Sequence, residues 1–192
     1  MKSVRNMFKI GVGPSSSHTM GPVYAAKRFM RDYPNMDRAE VILYGSLAKT
    51  GKGHGTDRAV QETLSPIPTV IEFHSEEIQS EHPNTMDLIA YRGDGELGRM
   101  RVLSIGGGEI RVPGEVRGPE TDLYTEETFS QIAEICKSRN IRLSDYVFEH
   151  EDEDFRAYLS QVWQTMSAAI REGLTHTGIL PGGLGVDRKS VV

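Results

Sequence analysis

The chain has 192 residues, of which 38% are hydrophobic and 26% are charged, and its formal net charge is −5. These values are typical of a globular domain and exclude a mainly disordered chain and a nucleic-acid binder that works through a basic surface. The single cysteine excludes an internal disulfide and a metal site built only from cysteines of this chain. No apolar run is long enough for a membrane helix, and we therefore expect a cytoplasmic protein.

Apolar periodicity and turn residues predict eight elements in chain order. They are helix 23–33, strand 41–44, helix 56–64, strands 69–73, 85–91 and 99–105, and helices 126–137 and 153–172. Thr56 or Asp57, Thr125 and Gly173 are expected to cap the later helices. The order predicts a small mixed α/β sheet flanked by helices, followed by a C-terminal helix and a linker at 174–192.

The first candidate site is the segment 11–22, GVGPSSSHTMGP, which lies just ahead of the first predicted helix. Backbone N–H groups at a helix start attract anions, and hydroxyl groups add further donors. Such a segment can hold a carboxylate or a phosphate with His18 beside it as a proton acceptor. The alternative is a capped helix start whose serines only satisfy backbone groups. It is not a dinucleotide fingerprint, because Ser16 occupies the third glycine position.

The second candidate site is the glycine-rich segment 45–57 between a strand and a helix. Five residues, not the four of a Walker loop, separate Gly45 from Gly51, so a nucleotide site is not indicated. We expect a flexible loop in which His54, between two glycines, projects into a cleft. The alternative is an exposed histidine without a function.

Two further motifs lie near the last predicted strands. His82 and Asn84 stand two apart on an extended segment and can grip the polar ends of an amino acid, or Asn84 can simply form a turn. Residues 104–109, SIGGGE, suggest a bulge or a close backbone approach. Cys136 falls at helical apolar spacing and is expected in the core, and no metal-ligand spacing is found.

Five segments resemble, in the same order, the beta portion of the bacterial iron–sulfur-dependent L-serine dehydratases (L-serine ammonia-lyases). They are GPSSSHTMGP, YGSLAKTGKGHGTD, EHPNTMDL, SIGGGEI, and VWQTM with GLTHTGILPGGLGV. The resemblance implies a beta domain at 1–150, similar to the allosteric substrate-binding domain of some phosphoglycerate dehydrogenases. It also implies a connecting helix and linker at 151–192 toward a separate alpha domain, whose cysteines hold a [4Fe–4S] cluster. The chain looks like a truncated or split member, since it stops where the alpha domain should begin.

The resemblance also implies a carbon–nitrogen lyase of amino-acid catabolism and gluconeogenesis that converts L-serine to pyruvate and ammonia. It assigns base or proton-relay roles to His18 and His54, carboxylate binding to Ser15, Ser16, Ser17 and Thr19, and allosteric serine binding to His82 and Asn84. The cluster ligands are not in this chain, so we expect the isolated chain neither to carry a cluster nor to deaminate serine. A serine-sensing domain and a purely structural assembly domain stay open as alternatives, and self-association is expected.

Overall fold

The computed structural model describes residues 1–116, 118, 122–179 and 185–187. Their contacts divide the chain into two compact units, Gly11–Val116 on one side and Met1–Ile10 with Arg117–Val192 on the other. Each unit is described by itself below. The assignment of a beta domain to 1–150 and a connecting segment to 151–192 stays a prediction.

The unit Gly11–Val116 is built on a five-stranded sheet in the order β2-β1-β3-β4-β5. The strands are β1 (Arg38–Tyr44), β2 (Thr69–His74), β3 (Thr85–Arg92), β4 (Gly95–Gly106) and β5 (Glu109–Arg111). β1 and β2 are parallel, and the other neighbours are antiparallel. The four predicted strands and the mixed α/β class are confirmed, and β5 is an addition.

Helices cover one face of this sheet and form the core with it. A π-helical turn (Ser16–Met20) leads directly into α1 (Gly21–Asp32), and α2 (Gly45–Thr50) and α3 (Thr56–Leu64) connect β1 to β2. Alternating strand residues pair across the sheet in register, as Val41 does with Leu88, and point into the core. Phe29 of α1 and Val60 of α3 are fully buried there. Each such large side chain contributes about 1.5–3 kcal/mol.

The prediction of a flexible loop at 45–57 is wrong, because the first six residues form α2. Gly45 turns the chain from strand to helix with a φ of +48°, and a Cβ at this position would lie 2.9 Å from the carbonyl oxygen of Pro83. Two backbone bonds fix the turn, from Gly45 N to Glu77 O at 3.2 Å and from Ser46 N to Pro83 O at 2.9 Å. Glu77 and Pro83 lie more than 30 residues further along the chain, so the local sequence pattern could not predict these bonds.

The second unit is helical where it is described. Its helices are α4 (Phe129–Arg139), α5 (Leu143–His150) and α6 (Phe155–Thr175). The predicted cap of α4 at Thr125 is wrong, because Thr128 caps the helix in a capping box with Gln131. The predicted end of α6 at residue 172, with Gly173 as its cap, is wrong by three residues because the helix runs to Thr175, and α5 was not predicted. The predicted linker lies partly outside the described residues.

Candidate active site

His18 sits in the π-helical turn that precedes α1. Ser15 caps this turn, and its Oγ accepts a hydrogen bond from the backbone N–H of His18 at 3.0 Å. π-helical turns are rare and occur frequently at functional sites, because the wider turn displaces one residue from the regular helix surface. The Ser15 cap matches the interpretation of this segment as a capped helix start. It does not exclude an anion site, because the side chains of Ser16 and Ser17 do not form this cap.

His54 sits between α2 and α3. Its backbone N–H and its ring Nδ1 both approach the carbonyl oxygen of Thr50, each at 3.1 Å. Since a carbonyl oxygen only accepts hydrogen bonds, Nδ1 is the donor. The Nε2 atom of the neutral ring therefore carries the lone pair and is the proton acceptor.

The two imidazole rings converge although 36 positions separate them in the sequence. Their centroids lie 4.8 Å apart, and the ring planes are tilted by 34°. His18 also lies within a chain of hydroxyl groups, because its Nδ1 is 2.9 Å from Ser17 Oγ and its Nε2 is 3.1 Å from Ser46 Oγ. Hydroxyl groups both donate and accept, so this chain can pass a proton through the imidazole.

The surroundings of His18 favour its neutral form. Burial lowers the pKa of His18 below 6.5, and repulsion from His54 lowers it further, while the hydrogen bond with Ser46 acts in the opposite direction. A ring that is neutral near pH 7 keeps one nitrogen free to accept a proton. His18 is therefore in the protonation state that proton-relay chemistry needs.

The lowered pKa of His18 predicts a loss of stability in acid. The unfolded chain binds this proton more readily than the folded one, so stability is fully present above pH 6.5 and falls as the pH drops toward the folded pKa. We expect the His18→Gln variant to lose less unfolding free energy than the wild type between about pH 7.5 and 5.5. Chemical denaturation at a series of pH values measures this difference.

His74 provides a control of opposite sign. Hydrogen bonds to Glu72 and Glu77 raise the pKa of His74, so its stabilising contribution is present in acid and is lost as the pH rises. The His74→Gln variant should therefore lose more stability than the wild type over the same interval. Equal acid sensitivity in the wild type and the His18 variant would contradict the burial of His18.

The hydroxyl side chains predicted beside His18 have distinct environments. Ser15 and Ser17 bond to His18 as described, and Ser16 is exposed. Thr19 is 1% exposed, and its hydroxyl donates to the carbonyl oxygen of His54 at 3.0 Å. The three serines therefore line the turn around the imidazole, while Thr19 acts from inside the protein.

His82 and Asn84 form a local turn ahead of β3. The backbone N–H of Asn84 donates to Nδ1 of His82 at 3.0 Å, so Nε2 of the neutral ring carries the proton. The side-chain Nδ2 of Asn84 donates to Ser104 O at 3.4 Å, whereas its buried Oδ1 has no hydrogen-bond partner among the described residues. An unsatisfied buried acceptor of this kind is uncommon in folded proteins.

Ser104 joins this turn to the histidine pair. It is fully buried, its backbone N–H donates to Asn84 O at 2.9 Å, and its hydroxyl donates to Ser17 O at 2.7 Å. Ser46 makes a second connection, because its N–H donates to Pro83 O while its Oγ contacts His18. The structure thus brings four of the five motif segments to one edge of the sheet.

Comparison with known proteins supports the predicted resemblance. Residues 3–68 match the family described as serine dehydratase beta chain. The L-serine dehydratase of Haemophilus influenzae is 32% identical over 241 residues, which cover 99% of this chain and 53% of the relative. The chain is a homologue of the serine dehydratase beta chain. L-serine dehydratase 2 of Escherichia coli is 30% identical over 242 residues, with the same two coverages.

The predicted resemblance to the serine dehydratases is therefore confirmed. The chain spans about half the length of the curated relatives it matches. The L-serine dehydratase of Helicobacter pylori is 52% identical over 62 residues, 30% of this chain and 14% of the relative. The beta-chain family match includes both His18 and His54, whereas His82 and Asn84 lie beyond it.

The residues of this serine dehydratase homologue do not fit a cysteinyl four-iron cluster. Such a cluster needs four thiolates, and the sequence has one cysteine, the half-buried Cys136 of α4. The described residues contain no group of three or more His, Cys, Asp or Glu side chains placed to hold a metal ion. Among the described helices, none is both long and apolar enough to span a membrane.

Three hydroxyl residues of the candidate site were given no functional role from the sequence. Ser46, Ser104 and Thr56 each contact the histidine segments, and Thr56 and Ser104 are fully buried. The only local signal for Ser46 is its place directly after a strand and a glycine. The predicted cap of α3 at Thr56 or Asp57 is wrong, because Gly55 occupies the cap position and the Thr56 hydroxyl bonds to His18 instead. Nothing in the local sequence indicates the long-range contact of Ser104.

Proposed function

We propose that this chain is the beta portion of an L-serine dehydratase that converts L-serine to pyruvate and ammonia, with His18 and His54 handling the α-proton. The convergence of the two rings at 4.8 Å, inside the segment that matches the family, carries the proposal. Imidazole is well matched to proton transfer near neutral pH.

The proposed reaction begins with transfer of the α-proton of serine to Nε2 of His54. The C–O bond to the β-carbon breaks, the oxygen leaves as hydroxide and is protonated to water, and aminoacrylate remains. Its imine tautomer adds water and releases pyruvate and ammonia, which balances the reaction. His18, whose ring lies beside that of His54 and is held between Ser17 and Ser46, is proposed to relay the proton along these hydroxyl groups.

The serine turn is proposed to orient the carboxylate of the substrate. Ser15, Ser16 and Ser17 lie at the start of the π-helical turn that leads into α1, where N–H groups and the helix dipole favour an anion. Thr19 supports this turn from inside, through its hydroxyl bonds with Ser15 and His54. A carboxylate held here lies beside the imidazoles, because both belong to the same short segment.

His82 and Asn84 are proposed to bind a second serine as an allosteric ligand. The unpartnered Oδ1 of Asn84 is an acceptor for an ammonium group. Ser104 connects this position to Ser17, so occupancy can be transmitted to the histidine pair through two hydrogen bonds. The similarity to the allosteric substrate-binding domain of phosphoglycerate dehydrogenases is part of the same proposal.

The remaining half of the relatives is proposed to supply the partner, an alpha domain or subunit that holds a [4Fe–4S] cluster and assists the departure of hydroxide. α6 offers a surface for it. An apolar stripe runs along one side of this helix at helical spacing and is 49–70% exposed. It comprises Trp163, Met166, Ile170 and Leu174. Exposed apolar stripes of this length mark packing surfaces.

Completion of the enzyme tests this proposal. The isolated chain is expected to form no pyruvate from L-serine, and pyruvate formation should begin when the polypeptide corresponding to the other half of the relatives is added. Trp163, the only tryptophan, should fluoresce as an exposed indole in the isolated chain and shift to shorter wavelength on docking. Met166→Glu should weaken the shift, and Ala168→Glu, at an exposed position on the opposite side of α6, should not.

Two alternative functions make different predictions. A serine-sensing domain predicts that changes at His54 alter activation by serine but leave kcat unchanged. An assembly domain, which dimerises and positions its partner, predicts that calorimetry detects no serine binding to the chain. Pyruvate formation by the isolated chain, or by the completed enzyme without any dependence on this chain, would contradict the proposal.

A further inference from the structure

Two buried threonines hold the histidine segments together in a reciprocal arrangement. The hydroxyl of Thr19, directly after His18, donates to the backbone carbonyl of His54 at 3.0 Å. The hydroxyl of Thr56, two residues after His54, donates to the backbone carbonyl of His18. Each threonine is at most 1% exposed, so both donor side chains are buried.

The two threonine bonds restrain a segment whose local sequence leaves the backbone free. His54 lies between Gly53 and Gly55, and Gly55 has a φ of +64°, so the local backbone is intrinsically free to adopt many conformations. A buried carbonyl that lacks a donor is unfavourable, and the two threonine hydroxyls are the donors at these carbonyls. Loss of either hydroxyl therefore releases the backbone of the opposite histidine.

The crossed bonds act on the distance between the rings. Each bond runs from one histidine segment to the other. Together the two bonds fix the backbone of His18 relative to that of His54. The groups that face His18 are the ring of His54 and the hydroxyls of Ser17 and Ser46, and only His54 among them is charged when protonated. A wider separation of the rings would remove the repulsion that this neighbour exerts on His18.

We propose that Thr19 and Thr56 are positioning residues whose crossed hydroxyl bonds hold the two imidazoles at the spacing that proton transfer between them requires. This rests on the proposed function, which it deepens by assigning a role to two hydroxyls away from the substrate. The repulsion from His54 that lowers the pKa of His18 is consistent with it.

Thr56→Val removes the hydroxyl and keeps the side-chain volume, whereas Thr56→Ser keeps the hydroxyl. Thr63→Val is a matched control, because Thr63 makes the same kind of bond, to Ala59 O at 2.7 Å, on the same helix α3. In an NMR titration of the imidazole nitrogens, Thr56→Val should raise the pKa of His18 toward its ordinary value. Thr56→Ser and Thr63→Val should leave it at the wild-type position.

In the completed dehydratase, Thr56→Val should lower kcat by about 10- to 100-fold with little change in KM, and Thr56→Ser should restore it. A folded Thr56→Val variant with the wild-type His18 titration overturns the positioning role. If that titration shifts while substitution of His54 leaves kcat intact, positioning stands and the proposed function fails.

A measurement on the wild-type protein covers the case in which Thr56→Val does not fold. Buried, hydrogen-bonded hydroxyl protons exchange slowly with water and are visible by NMR. Both Thr19 and Thr56 should show such protons, each close to the opposite histidine segment. Rapid exchange of both protons with water would overturn the proposal without any variant.

Discussion

If the proposed function is correct, replacement of His54 by glutamine will lower kcat of the completed enzyme by about 10²- to 10⁴-fold. The amide can occupy the same space and donate to Thr50 O, but it has no lone pair basic enough to remove an α-proton. The fall should appear in kcat more than in KM, because the proposed role is in proton transfer. Steady-state pyruvate formation from L-serine measures both constants.

His74→Gln is the matched control for this loss. His74 belongs to the same unit and carries an imidazole, but it lies at the end of β2 between Glu72 and Glu77. Its replacement should leave kcat within about twofold of the wild type, as is usual for a surface change away from a site. Equal kcat in the wild type and the His54 variant would leave only the sensing or assembly function.

The second large effect is expected from Gly21→Ala, which should destabilise the protein by about 1–3 kcal/mol. A Cβ at this position would lie 2.1 Å from Oγ and 3.1 Å from Cβ of Ser104. Ser104 is fully buried and its hydroxyl donates to Ser17 O, so it cannot move without breaking that bond. Chemical denaturation of the purified chain measures the loss.

Two variants show whether this loss comes from the contact with Ser104. Gly95→Ala introduces the same methyl group where the nearest heavy atom is 3.7 Å away, and it should change stability by less than about 1 kcal/mol. Adding Ser104→Ala to Gly21→Ala should recover part of the loss, because the shortest contact disappears. A Gly21 variant as stable as the wild type would show that the start of α1 is packed differently.

The strands and most helices are predictable because their signals are local. Strand β1 is a β-branched run that ends at a glycine, and α3 and α6 follow apolar helical spacing. β5 and α5 were missed because they are too short, at three and eight residues, to establish a period. α4 begins later than predicted, because Thr125 and Thr128 are equally good caps in sequence and only Thr128 has Gln131 three residues on.

The site was predictable in part. His18 and His54 stand out because unusual residues surround them, and the family resemblance pairs them. Their 4.8 Å separation depends on how α2 and the π-helical turn meet at the sheet edge, which no local pattern contains. Ser104 illustrates the same limit, since it reaches Ser17 across 87 positions of sequence.

Hydrogen bonds connect the proposed allosteric position at Asn84 with the proposed catalytic histidines. The sequence treats the catalytic and allosteric residues as separate groups. The structure joins them through Ser104 and through the contact of Ser46 with Pro83. In the proposed regulation, a ligand at Asn84 would be connected to Ser17, the neighbour of His18, through the two hydrogen bonds of Ser104.

A double-variant cycle in the completed dehydratase tests the central claim most directly. The kcat of His18→Gln, His54→Gln and the double variant is compared with that of the wild type. If the rings form one proton-transfer unit, the double variant will be about as slow as the slower single variant, because either change already breaks the unit. Independent effects that multiply, or no effect of either change, would contradict the account.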